Sequence, residues 1–391
     1  MAAIIFGHSI FSMAYFARPG FVALLTSVAL VAACSSSGKK VTDLPSFDPT
    51  ASVKVHWSSS AGDGEDYFFT PSVYGESVFI TEVNGELTHI KHGKEVWQVD
   101  TEHSLSAGVG TDGEVVVVAS KKGDVLAYAA KNGKALWQAK VSSTVLTAPT
   151  VSDGMVLIRS IDNAIYAFDT VDGDKRWVFH RDVPSLEVRN ASAPIVAGGY
   201  VMAGMPNGKL LALHMNTGVI QWEGIVTRPR GVTELDRIAN VAARPVLEGS
   251  VICAAAYQGH VACFDLAAGG RLLWKREISS FSGLDISDGM VYVSDSQGAV
   301  HALNKQTGAP RWTQKSLDLR QLSAPTVVGE YVAVGDYEGV VHFLRRSDGG
   351  FAARYETGDG PIVTQPRLYA HTLIVQTQEG DVYALEASQK K

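Results

Sequence analysis

The sequence is poor in the residues that most enzymes and nucleic-acid binders need. It contains only three cysteines, Cys34, Cys253 and Cys263, and no two are adjacent. Its eleven histidines are scattered and show no metal-ligand spacing. Net charge is −6, with no basic run and no aromatic-basic patch, which excludes nucleic acid as a partner. The chain has no G-x-S-x-G elbow, no H-E-x-x-H and no P-loop, so three common catalytic signatures are missing. After the first segment no apolar pattern of helical period is sustained. What remains is a chain of strand-type residues punctuated by 38 glycines, which suits an all-β, turn-rich fold.

What the chain does have is a repeat. Gly123 to Trp137 reads as a turn glycine, a short alternating strand, a second turn at Asn132-Gly133 and a strand-entry tryptophan. The same pattern recurs from Gly85, Asn163, Gly208, Gly259 and Gly298, and in degenerate form from Gly339 and Gly380, at spacings of 38 to 51 residues. Short strands at this period indicate a propeller or an array. The first of the seven tryptophans, Trp57, has no preceding half-repeat, and the last copy has no tryptophan after it. Joining the two ends completes one unit and removes the exposed edges of an open array. The fold expected is an eight-bladed β-propeller of four-stranded antiparallel blades, spanning 53–391 and closed by the N-terminal strand.

Two regularities give the register. The residues six before and four after each turn position form pairs, among them Val117/Ala127, Leu157/Ala167, Cys253/Cys263, Tyr292/Ala302 and, inverted, Ala333/Phe343. A large residue usually meets a small one, as expected of two positions facing each other across a hairpin. Pro71, Pro149, Pro194, Pro245, Pro325 and Pro366 mark the start of the innermost strands. The tryptophans are expected to pack between neighbouring blades. Asp295 and Asp336 read as turn and strand-end residues rather than an acid and base, and no aromatic cluster outside the repeat positions suggests a sugar site.

At the N-terminus, an apolar stretch from Phe21 to Ala32 follows Arg18 and ends in Val31-Ala32-Ala33-Cys34. It is too short for a comfortable membrane span and has the form of a signal-peptide core, with Met13 a candidate start. Residues 1–33 are therefore expected to be a signal peptide. The small residues before cysteine have the form of a bacterial lipobox, with lipidation at Cys34 and 34–52 as a flexible tether; cleavage after Ala33 without lipidation is the alternative. Ser35 after the cysteine points to the outer membrane.

The two longest connections run from Trp177 to Gly208 and from Trp222 to Gly259, against 26 residues in the regular copies. They fall in consecutive blades and in the same kind of connection, so they are expected to project from one face, as a binding surface or as tolerated surface loops. Cys253 and Cys263 either form a disulfide or are two small buried side chains.

The A-x-D-x-x-T-G-x-x-x-W flavour of Ala167 to Trp177 and Ala302 to Trp312 resembles the blade motif of pyrroloquinoline-quinone dehydrogenases, so a quinoprotein-like periplasmic enzyme is the alternative function. Those enzymes carry long insertions and an adjacent cysteine pair, which this sequence lacks. With the lipobox, the eight copies, Pro184-Ser185-Leu186-Glu187-Val188-Arg189, Ser192-Ala193-Pro194 and Thr233-Glu234-Leu235-Asp236-Arg237, the whole mature chain more closely resembles the BamB family. These are lipoproteins of the outer-membrane β-barrel assembly (BAM) machinery. The resemblance implies a non-enzymatic scaffold without cofactor or metal, lipid-anchored on the periplasmic face of the outer membrane. It also implies contact with the POTRA domains of a BamA-like barrel-forming subunit, and leaves direct contact with unfolded outer-membrane proteins open. By position, Leu186, Val188 and Arg189 are implied contacts of the first loop. An acidic pair of better-known members falls on Asn240 and Ala242, which leaves Glu234, Asp236 and Arg237 as the second loop's candidates.

Overall fold

The computed structural model describes residues 41–60, 62, 64–65, 67–181, 192–233, 235–358 and 360–390. Thirty-two strands, β1 to β32 in chain order, make eight four-stranded antiparallel sheets. Blades 1 to 7 are consecutive meanders: 72–100, 110–140, 150–179, 195–225, 246–276, 283–314 and 326–356. Blade 8 takes its inner three strands from the C-terminus, 367–389, and its outer strand from β1, Ala51–Ser60. β1 pairs with β32 (Asp381–Gln389) from Ala51 opposite Gln389 to Ser60 opposite Asp381. The expected ring closure is therefore the observed one.

All eight predicted pairs lie directly opposite each other between the second and third strands, from Phe79–His89 in blade 1 to Ile374–Ala384 in blade 8. The fourth strand extends each pair into a row of three. Val117–Ala127–Trp137, Leu157–Ala167–Trp177 and Tyr292–Ala302–Trp312 share one form, a small residue between two large ones. Trp57 occupies the same slot opposite Ala384, although it comes from the other end of the chain. Blade 7 inverts the row to Ala333–Phe343–Ala353, so one central ring fills the space that two flanking side chains fill elsewhere. The tryptophan slot of that blade is thus held by Ala353. Each row still sets large side chains against small ones, as close packing requires.

Each tryptophan docks on the next blade. The indole N–H of Trp97, Trp137, Trp274 and Trp312 donates to the carbonyls of Ala130, Thr170, Lys305 and Arg346 at 2.7–2.9 Å. Its ring lies on a turn glycine that has positive φ. A Cβ on Gly173 (φ +75°) would stand 2.6 Å from Trp137, and one on Gly93 would stand 2.6 Å from Trp57. Glycine is required there twice over, by conformation and by contact. Blade 8 has no turn between its third and fourth strands, because its fourth strand is β1. A tryptophan in blade 7 would have no glycine to dock on.

The six predicted prolines each stand one residue before an inner strand, which begin at Ser72, Thr150, Ile195, Val246, Thr326 and Arg367. Asp295 accepts the amides of Gln297 and Ala299, and Asp336 those of Glu338 and Val340, so both brace turns as expected. Cys253 and Cys263 face each other with Cα atoms 4.1 Å apart and are joined by a disulfide.

Residues 41–50, assigned on sequence to the flexible tether, lie along blade 7. Arg320 donates to the Thr42 carbonyl at 2.9 Å and Arg354 to that of Pro45 at 2.8 Å. Phe47 packs on Phe351 beneath the Arg354 guanidinium. Arg320 is held in turn by the buried carboxylate of Asp336 at 2.5 Å, which also accepts from His342 at 2.8 Å. A charged pair buried inside the blade thus fixes the residues that lead into β1.

Candidate functional site

The connections between blades run from the outer strand of one to the inner strand of the next. They are stitched to the turns between second and third strands, as where the Lys121 amide donates to Ser104, Ile161 to Thr144 and Tyr257 to Asn240. Both long insertions are connections of this class, so the described ends of both lie on the same face of the ring.

The first insertion joins blades 3 and 4. Its candidate residues Leu186, Val188 and Arg189 lie outside the described residues, as does Cys34 of the lipobox. Both ends are held. At the entry, Arg181 donates to Glu223 at 2.7 Å, and Lys209 binds the other oxygen of that carboxylate at 2.7 Å. Lys209 first, and Arg181 with it, keep Glu223 below the usual carboxylate range against the opposing effect of burial. At the exit, buried Arg159 donates to the Ser192 carbonyl at 3.2 Å and to Asn163 at 2.8 Å.

The second insertion joins blades 4 and 5. Its base is buried: Thr227 meets His260 at 2.8 Å, and the Val241 amide donates to Met205. Asn240 and Ala242, the positions matched to the family's acidic pair, are buried in that base. The loop beyond projects and braces itself. The Thr233 amide donates to the Asp236 carboxylate at 3.1 Å, the Asp236 amide donates to the Thr233 hydroxyl at 3.1 Å, and Arg237 donates to the Gly231 carbonyl at 3.2 Å. These bonds hold Asp236 below its ordinary range. Gly231, at φ +129°, makes the bend; a Cβ there would stand 2.1 Å from that of Asp236. Asp236 and Arg237 therefore shape the loop from within, while Glu234 lies outside the described residues. The apolar side chains that the loop offers to solvent are Val232 and Leu235, 91% and 65% exposed. Neither was singled out on sequence, though a valine and a leucine in a Gly/Thr/Asp turn could have been noticed.

On the same face the central channel opens as a cavity of about 770 Å³. Phe68, Tyr257, Phe281 and Tyr337 line it, with Arg244 and Arg367. This corrects the expectation that aromatics cluster only at repeat positions. They come together from different blades, and no local spacing reveals that. Among the described residues no group of three or more acidic, histidine or cysteine side chains is placed to hold a metal.

A family model described as "Outer membrane protein assembly factor BamB" matches residues 84–314. A Bordetella pertussis protein with that name is 38% identical over 372 residues, covering 93% of this chain and 96% of its own length. The crystal structure of BamB from Moraxella catarrhalis superposes with a TM-score of 0.80 at 27% identity, covering 86% of this chain and all of that one. A quinohemoprotein alcohol dehydrogenase from Comamonas testosteroni superposes with a TM-score of 0.69 over 87% of this chain and 78% of its own, but at 14% identity that likeness shows a shared fold only. On the family match and on relatives aligned over nearly their full length, the chain belongs to the BamB family of outer-membrane protein assembly factors.

Proposed function

We propose that the protein is a non-enzymatic scaffold of outer-membrane protein assembly that binds the POTRA domains of a BamA-like barrel-forming subunit through its two insertion loops. The observation that carries this reading is the pair Val232 and Leu235, apolar side chains held in water by a loop whose own hydrogen bonds fix its shape. Exposed apolar residues on a preorganised loop lose little entropy on docking. Arg189, next to Val188 on the connection between blades 3 and 4, supplies the residue type that dominates interface centres. The relatives' name as assembly factors supports the setting.

The same proposal includes a signal peptide at 1–33, lipidation at Cys34 and anchorage on the periplasmic face of the outer membrane. Residues 42–45 are held against blade 7, so the tether read from the sequence does not run loose as far as residue 52. The disulfide Cys253–Cys263 belongs to the mature protein in an oxidising compartment.

Affinity capture from detergent-solubilised envelope tests the central reading. The wild type brings down the barrel-forming subunit; Leu186→Asp with Arg189→Ala loses it by about 2 kcal/mol or more while the ring still melts as wild type. Capture at wild-type yield by the double variant would show that the face is wrong. Cys34→Ser should move the protein from the membrane to the soluble periplasmic fraction.

A further inference from the structure

The channel holds charge that the fold does not use. Arg244 precedes the inner strand of blade 5, and Arg367 opens that of blade 8. Both line the cavity, and among the described residues neither guanidinium has a hydrogen bond or ion pair. Buried arginines of the ring are engaged: Arg159 on Ser192 and Asn163, and Arg320 on Asp336. The carboxylate that acts on Arg367, Asp285, already accepts the amides of Ile286 and Val327, and Asp295, which also lines the cavity, is taken up by His301 and the amides of Gln297 and Ala299. Burial pushes Asp285 up. Burial, and then the neighbouring Arg244, push Arg367 down to about 10, so it still carries its proton at neutral pH. Where blades 3, 4 and 7 place Ala148, Ala193 and Ala324 before the inner-strand proline, blade 5 places Arg244. A second polar group is also without a partner: the Thr147 hydroxyl is buried, lines the same cavity and makes no hydrogen bond.

The mouth is aromatic. Phe68, Tyr337 and Phe281 are 48%, 45% and 36% exposed, and Tyr257 meets Phe281 edge to face at 6.1 Å. Exposed rings beside bare guanidinia form two complementary halves of a site. Planar guanidinium forks match a carboxylate, and rings that lack neighbours accept another ring by stacking or edge contact. A free inorganic anion would satisfy the arginines and leave the rings unused. The cavity volume lies within the range of small-molecule sites.

We propose that the central channel is a binding site for a small ligand that carries a carboxylate on an aromatic body. The anion sits between Arg244 and Arg367, within reach of the Thr147 side of the wall, and the ring sits among Phe68, Tyr257, Phe281 and Tyr337. The site does not rest on the assembly reading. Substituting the exposed loop leaves it intact, so Leu235→Asp binds the same ligand as wild type.

The test uses the whole mature chain, with N-acetyl-phenylalanine, its uncharged amide, acetate and inorganic phosphate as probes at matched millimolar concentration. Melting temperature and titration calorimetry are the readouts. N-acetyl-phenylalanine raises the melting temperature and gives a saturable heat; the amide and acetate, each with half the recognised chemistry, bind at least ten-fold more weakly. Phosphate binding as tightly as the aromatic acid would overturn the role of the rings. Equal binding of acid and amide would overturn the role of the arginines, and no binding by any probe would overturn the site. Arg244→Gln with Arg367→Gln loses at least ten-fold in affinity for the acid and melts at or above the wild-type temperature without probe, because two uncompensated like charges are gone. Retained affinity in that variant contradicts the proposal. If the variant does not fold, the comparison of acid with amide on the wild type decides alone.

Discussion

Blade 7 reads Ala333, Phe343, Ala353 across its strands, whereas the connection between blades 4 and 5 carries Val232 and Leu235 out into water. Both depart from the repeat, but only the first is answered within the fold. There the central ring replaces the flanking side chains, the row stays filled, and blade 8 offers no docking turn for a tryptophan. The loop has no such answer. Its polar groups satisfy one another while its apolar groups face solvent. A departure balanced by its neighbours serves packing; one left unbalanced at the surface points to a partner.

Substitutions can separate the two kinds of departure. Phe343→Ala should cost the most, about 3–5 kcal/mol, because Ala333 and Ala353 cannot fill the cavity it leaves. Urea unfolding measures that, and a loss under 1 kcal/mol would mean the inverted row is not a volume exchange. Gly173→Ala in a regular blade should cost about 2–3 kcal/mol, from a strained φ of +75° and a Cβ driven into Trp137. A melting curve that matches wild type would show that the tryptophan dock yields easily.

The smallest effect concerns blade 1, where the central position of the row is His89 between Phe79 and Trp97. Its ring stacks on Phe79 at 4.5 Å, and neither ring nitrogen has a hydrogen-bond partner. Burial, with Lys91 adding to it, holds the imidazole below its ordinary range. The unfolded chain therefore takes up this proton first, and the histidine's contribution is full above about pH 6.5 and declines as pH falls below it. His89→Phe keeps the stack and removes two unsatisfied nitrogens, so it should add about 1 kcal/mol at neutral pH and lessen the loss of stability on acidification. An unchanged pH slope would show that other histidines carry it.

Most of the ring was legible because each blade solves the same packing problem with residues close in sequence. The pairs six before and four after each turn, and the prolines one residue ahead of six inner strands, are local consequences of hairpin geometry. Even Trp57 could be placed, since its slot opposite Ala384 was the vacant one. The face was legible only as two long connections. Arg159 beneath the first, the solvent-facing roles of Val232 and Leu235, and the lock of Arg320 and Arg354 on residues 42–45 depend on contacts between distant segments. The channel arginines left a faint mark, a charged residue beside a proline that in three other blades follows alanine. Its meaning appears only when the blades close around one axis.

The central proposal is that a closed, self-sufficient ring presents its insertion loops to the barrel-forming subunit. The direct test is the affinity of the purified protein for that subunit's POTRA domains, measured on Val232→Asp with Leu235→Asp beside Phe343→Leu. The loop variant should melt like wild type and lose about 2 kcal/mol of binding, and the blade variant should melt lower and bind like wild type. Full binding by the loop variant, with its melting unchanged, would contradict the claim.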